Sequence, residues 1–291
     1  MHRQRLAAIV LILFAALATA AEAATAPLWS RDVDGAFAAA RSSGKLLLVD
    51  AFADWCGWCK RLEREVFPTP EFTDFARDYV LLRIDVEDGG RGTELADTYG
   101  AESLPMLLLL EPSGALAGVV SGYAPAPALV ARLRAAAADH ERALADYRRT
   151  LATGDAAALD RLAIELWQRR DGARAAAAFE KLLAATTLPA SEEVWTRFLL
   201  ADAWRLAGEV DRARAAAAAA EAAVARVRGL DPELGERVAL LPFWIAETAR
   251  DCGTAAGQLA RFEREHPASR LLGEARRALA RLRADSGPRC S

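Results

Sequence analysis

Four cysteines and three histidines are all that 291 residues supply, and that scarcity removes whole classes of chemistry. A structural zinc site needs four ligands brought together. Apart from Cys56 and Cys59 the candidates are Cys252, Cys290, His140 and His266, scattered through the second half with no second close pair, so no metal site is expected. An excess of either charge is missing too. Lysine and arginine number 37 against 40 aspartates and glutamates, a formal net charge of −3, which leaves no footprint for nucleic acid or an anionic membrane surface. The apolar run Leu6 to Ala21 has 16 residues, short of the ~20 that span a bilayer. It follows His2, Arg3 and Arg5 and precedes the small-x-small site Ala21-Glu22-Ala23, so residues 1–23 are expected to be a signal peptide, cleaved rather than kept as an N-terminal anchor. No cysteine follows the run to carry a lipid. Loss of Arg3, Arg5 and Glu22 would take the net charge to −4, and all four cysteines would enter an oxidising compartment, periplasmic or secreted.

Against these absences stands one dense segment. Asp50 to Lys60 reads Asp-Ala-Phe-Ala-Asp-Trp-Cys-Gly-Trp-Cys-Lys and directly follows the apolar run Leu46 to Val49. A Cys-x-x-Cys pair therefore falls where a buried strand turns into a helix. At a helix N-terminus the unpaired N–H groups and their partial positive charge favour a thiolate, which makes Cys56 the nucleophile. Cys59 lies one turn along the same face, placed to attack Cys56 and close a small disulfide. An inert disulfide or half of a zinc site are the competing readings, and the missing second ligand pair speaks against zinc.

With these residues the chain resembles the thioredoxin superfamily, from about Trp29 to Ala138. Asp50 stands six residues before Cys56, Trp55 precedes it, Leu104-Pro105 leads into an apolar strand, Pro112-Ser113-Gly114 fits a hairpin turn and Gly122 fits the glycine of the last strand. Trp29 to Lys45 and Arg61 to Phe67 look more like the secreted branch that includes the C-terminal domain of thiol:disulfide interchange reductases. The resemblance implies that Asp50 handles protons for Cys59, that Pro105 is a cis-proline facing the active site, and that an extended target strand lies against Leu104-Pro105. It further implies substrate contacts at Trp55, Gly57, Trp58 and Leu104, and no cofactor. The family's charged partner of the buried aspartate would fall near Leu81, with Arg83 two residues on and on the same face. Gly57-Trp58 replaces the usual Gly-Pro, so redox poise is not carried over.

The expected architecture is an α/β thioredoxin fold over residues 24–138 followed by an all-α domain over residues 139–288. In the first part strands are expected over Lys45 to Phe52, Tyr79 to Val86, Met106 to Leu110 and Leu116 to Ser121, with helices between them and a closing helix from Pro127 to Ala138. Beyond Asp139 the chain turns to alanine, leucine and arginine, with apolar spacing such as Leu159, Leu162, Leu166. Ser191 and Asp231-Pro232 read as helix starts. Turns at Asp171-Gly172, Gly208-Glu209 and Cys252-Gly253 recur at 36 and 45 residues, which resembles degenerate tetratricopeptide repeats; an irregular bundle is the other reading. Trp167, Trp195, Trp204, Phe243 and Trp244 argue for a packed core there. Cys252 and Cys290 either form a clip for the C-terminal tail or stay free, His140 and His266 read as solvated, as do Asp54 and Lys60.

The reading is an exported thiol–disulfide oxidoreductase that reduces protein disulfides, its partners being those substrates, an upstream redox partner and a protein held by the helical half. The alternatives are a non-enzymatic adaptor, or an oxidase or isomerase with electrons flowing the other way.

Overall fold

Alternation of short apolar strands with capped helices decides the first half of the chain. The computed structural model describes residues 29–286. Helix α1 (Val33–Ser43) starts on Asp32, whose carboxylate accepts from the Gly35 amide, and stops at Gly44 in the left-handed region (φ 70°). Strand β1 (Leu47–Phe52) is buried at all six positions, as a strand covered on both faces must be. Helix α2 (Gly57–Glu65), helix α3 (Pro70–Ala76, capped by Thr69 with proline in its first turn), strand β2 (Val80–Asp85) and helix α4 (Arg91–Tyr99) follow. Strands β3 (Met106–Leu110) and β4 (Leu116–Ser121) complete a sheet of order β2-β1-β3-β4. The sheet is mixed: β1 runs parallel to β2 and antiparallel to β3. Its register sets Asp50 opposite Arg83, while Leu81 faces Leu48. The charge beside the buried aspartate is therefore at Arg83 and not near Leu81.

Helix α5 runs unbroken from Ala126 to Thr153, well past the expected end at Ala138. After Pro127 there is no proline or glycine until Gly154, and the intervening alanines, leucines and arginines are strong helix formers; Gly154, at φ 70°, then breaks the run. Seven helices follow: α6 (Ala156–Gln168), α7 (Gly172–Ala185), α8 (Ala190–Leu206), α9 (Val210–Val224), α10 (Pro232–Thr248), α11 (Cys252–Glu265) and α12 (Leu272–Ser286). Asp155, Asp171, Asp231 and Asp251 cap four of them. Ser191 does not cap: the N-cap of α8 is Pro189, two residues earlier, which leaves Glu192 and Glu193 in the first turn. The turn expected at Cys252-Gly253 lies just before, where Arg250 takes positive φ (55°) and α11 already begins at Cys252.

The described chain divides into two compact units. One takes the residues up to Pro112 with Gly118–Ala137, the other Ser113–Ala117 with the residues from Ala138 on. From α6 to α12 each helix packs on the next, and α10 also packs on α8. Gly172 explains part of this closeness, because a Cβ there would strike the Ala203 carbonyl and the Ala207 amide of α8. One core joins Phe179, Leu199, Trp204, Leu241 and Ile245 among many alanines, and a second joins Leu240, Phe243, Leu259, Phe262 and Leu272. Helix α10 feeds both, which is why it is apolar on more than one side. Trp195 does not join the packed tryptophans; it is 39% exposed and stacks on Phe198.

His140 is buried within α5, contrary to the expectation of a solvated side chain, since the long helix carries it away from any frayed end. His266 caps α11, its ring on Phe262 and its Nδ1 3.9 Å from Glu236. Residues 1–23 and Cys290 lie outside the described residues, while Cys252 is buried and not a free thiol. Among the described residues no helix is long and apolar enough to cross a membrane.

Candidate active site

Strand β1 ends at Phe52 and the chain enters α2 through Ala53 to Cys56. Cys56 is the N-cap: its backbone is extended (φ −73°, ψ 97°) and its Sγ accepts from the Cys59 amide at 3.1 Å. Cys56 and Cys59 form a disulfide with Cα atoms 5.3 Å apart, inside the ~4.4–6.8 Å such a bond requires. Both are buried, in a small apolar cluster with Phe52 and Ala53, against which Val86 and Leu104 pack. The Leu104–Pro105 peptide bond is cis. Gly122, at φ 81°, donates its N–H to the Pro105 carbonyl (2.8 Å), tying the end of β4 to this segment.

Asp50 lies two residues before Phe52, on the same face of β1, and is 1% exposed. Its Oδ2 is 3.2 Å from Arg83 Nε, yet among the described residues neither carboxylate oxygen nor that Nε has a hydrogen-bond partner. The guanidinium spends its well-aligned bonds elsewhere. Arg83 Nη1 and Nη2 grip both oxygens of Glu63 at 2.8 and 3.0 Å, and the group stacks 4.2 Å from the Phe52 ring centre, which also carries Arg31 at 5.2 Å. The balance at Asp50 follows. Burial pushes its carboxyl up, the Arg83 charge pulls it down, Glu63 adds a push upward, and the pKa settles at about 7 instead of 3.8. Glu63 goes the other way, its pKa held below the usual carboxylate range by the Arg83 hydrogen bonds.

Around the disulfide the surface is aromatic. Trp55 is 67% exposed, its indole donating to Glu87 Oε1 at 2.9 Å. Trp58 is 55% exposed and its ring centre lies 5.4 Å from that of Tyr123. Gly57 is not forced by space, since an added Cβ would meet nothing within 4 Å. Asp54 and Lys60 are exposed.

The structure thus gathers Cys56, Cys59, Phe52 and Leu104 into one cluster, joins Asp50 to it through Arg83 and the Phe52 ring, and places Trp55, Gly57 and Trp58 on the rim. Sequence reasoning missed Glu63, Glu87 and Tyr123. Glu63 follows Cys59 by one helical turn and Tyr123 follows Gly122 directly, but neither spacing by itself reveals a partner. No group of three or more His, Cys, Asp or Glu side chains converges on a potential metal site among the described residues. Chemically, an N-capping cysteine with a second cysteine one turn on and a neutral-range carboxyl behind is equipped to exchange a dithiol for a disulfide.

A family model described as Thioredoxin-like matches residues 28–112. The thiol:disulfide interchange protein DsbD of Pseudomonas fluorescens is 37% identical over 97 residues, which are 33% of this chain and 17% of that protein. A thioredoxin H-type of Oryza sativa subsp. indica is 31% identical over 94 residues, covering 31% of this chain and 69% of its own length. Among solved structures, the oxidised C-terminal domain of DsbD from Neisseria meningitidis is 19% identical, covers 37% of this chain and 97% of its own, and has a TM-score of 0.33. The chain spans less than a fifth of the length of the interchange proteins it matches.

Proposed function

We propose, on the premise that this chain belongs to the thioredoxin-like family through residues 28–112, that it is a thiol–disulfide oxidoreductase that reduces protein disulfides outside the cytoplasm. The observation that carries the reading is the Cys56–Cys59 disulfide on the N-terminus of α2, backed by a buried carboxyl with a pKa near 7. The similarity to the interchange protein supports it. Export rests on residues 1–23 and their leader-like pattern.

In the reduced protein the Cys56 thiolate attacks one sulfur of a substrate disulfide. A bond forms between Cys56 and that sulfur, the substrate S–S bond breaks, and the second substrate sulfur leaves as a thiolate. Cys59 then loses its proton to the Asp50 carboxylate and attacks Cys56 Sγ. That closes the Cys56–Cys59 disulfide and releases the first substrate sulfur. Two electrons pass from protein to substrate, and an upstream dithiol returns them. The cis Leu104-Pro105 segment is the wall along which the target lies as an extended strand, with Trp55, Gly57 and Trp58 at its side. The helical unit, read as tetratricopeptide-like, recruits or orients a protein partner.

The test is to equilibrate the mature protein with glutathione buffers and to assay insulin-type disulfide reduction. A low potential with reductase turnover is expected; a potential in the range of about −120 mV, with faster oxidation of a dithiol than reduction of a disulfide, would reverse the direction.

A further inference from the structure

Trp55, Trp58, Val119 and Trp195 are the exposed large apolar side chains of the described residues, and two of the four flank the disulfide. Trp58 is the more unusual because so much holds it in place. Its ring lies 5.4 Å from Tyr123, and the Arg61 guanidinium covers both rings, 5.5 Å from Trp58 and 4.6 Å from Tyr123. Arg61 Nε donates to Glu65 Oε2 at 2.8 Å, and the Tyr123 hydroxyl donates to the same oxygen at 2.9 Å. The four side chains close a ring of contacts on the surface.

Stability of the fold does not account for that ring. Arg61 and Glu65 are 44% and 45% exposed, and an ion pair in that setting contributes little. What the arrangement does is immobilise an exposed indole, and a large aromatic surface fixed before binding is what a recognition hot spot consists of. Its position matches. Trp58 projects from the helix that bears both cysteines. Tyr123 follows Gly122, whose amide holds the Pro105 carbonyl. The two rings therefore join the two sides between which a target cysteine has to approach Cys56. The charge of Arg61 is cancelled by Glu65, so the platform is neutral and selects by apolar contact.

We infer that Trp58, Tyr123, Arg61 and Glu65 form a substrate-selecting platform that takes a large apolar or aromatic side chain of the residue next to the target's cysteine. This rests on the reductase reading, and the experiment separates the two. The reduced full-length protein is mixed with three symmetrical peptide disulfides that differ only beside the cysteine: serine on both sides, phenylalanine before it, or phenylalanine after it. The second-order rate of protein oxidation is followed for each. One phenylalanine peptide is expected to react about 3- to 10-fold faster than the serine peptide, the size of an aromatic pair contact. In Tyr123→Ala that ratio should fall below about 2-fold, and Tyr123→Phe, which keeps the ring and loses the Glu65 bond, should retain most of it. Because the ratio is internal to each variant, a shift in reduction potential cancels. Equal rates for all three peptides, or a ratio untouched by Tyr123→Ala, would overturn the platform alone. Failure of the wild-type protein to react with any peptide would overturn the reductase reading and the platform with it.

Discussion

Asp50 sits in a strand of buried apolar residues with a guanidinium 3.2 Å away, and its carboxyl still titrates near neutrality because burial outweighs Arg83. Its pKa is raised in the folded state, so the native protein holds this proton more tightly than the unfolded chain. The stability due to that proton is complete below about pH 4 and is lost as pH rises through 7, by up to about 4 kcal/mol. Asp50→Asn should remove this loss and leave the oxidised protein more stable than wild type at pH 8 but not at pH 3.5, as urea unfolding at the two pH values will tell. The same variant should slow release of the mixed disulfide more than its formation. Removing Arg83 works with the opposite sign: Arg83→Met takes away the one charge that lowers the Asp50 pKa, so the pH midpoint of the resolving step should move upward, read from stopped-flow traces between pH 6 and 9. At the cysteines, Cys56→Ser should abolish turnover, whereas Cys59→Ser should accumulate a Cys56 adduct visible by mass spectrometry, since attack remains possible and resolution does not. An adduct in Cys56→Ser and none in Cys59→Ser would exchange the two roles.

At the scale of elements, the caps and breakers account for most boundaries, and close approach accounts for the rest. Helix α5 outran its expected end because nothing in its sequence stops it before Gly154. Gly172 shows the other case. It has no unusual backbone angle to satisfy, and the reason for glycine is the neighbouring helix, whose backbone leaves no room for a methyl group. Gly172→Ala should therefore destabilise the helical unit by about 2–3 kcal/mol, as overpacking against unyielding backbone does. Gly57→Ala, with open space around its Cβ, is the control and should change stability by about 0.5 kcal/mol or less; both are read by urea unfolding of the far-ultraviolet signal.

For the whole molecule, the sheet and its covering helices form one unit around buried residues such as Leu48, Leu62, Phe72 and Leu108, and the chain from Ala138 on forms another around two cores of its own. A fragment spanning residues 24–153, which keeps α5 intact, should fold and reduce a small generic disulfide while losing selectivity for its physiological partner. Thermal unfolding and insulin-type reduction on that fragment check it. An insoluble or inactive fragment would mean that the two halves depend on one another, and the recruiting role of the helices would be abandoned.

The thioredoxin-like half was legible because its signals are local: an apolar strand, an aspartate six residues before a cysteine, a helix opening on that cysteine, and a Leu-Pro step before the next strand. Each needs only neighbours within a turn or a strand length, so composition and spacing carry them. The helical nature of the second half was legible for the same reason, from its apolar spacing and aspartate caps. What required the tertiary structure is everything that joins distant segments. The pairing of Asp50 with Arg83 depends on the register of two strands, and a slip of two residues would have put Leu81 there instead. Glu63, which grips Arg83 across 20 positions, and Tyr123, which meets Trp58 and Glu65 across more than 50, carry no mark in the sequence that names their partners. Local backbone preference and hydrophobic period determine which elements form; which side chains then face each other is decided only when the sheet register and helix packing bring them within reach.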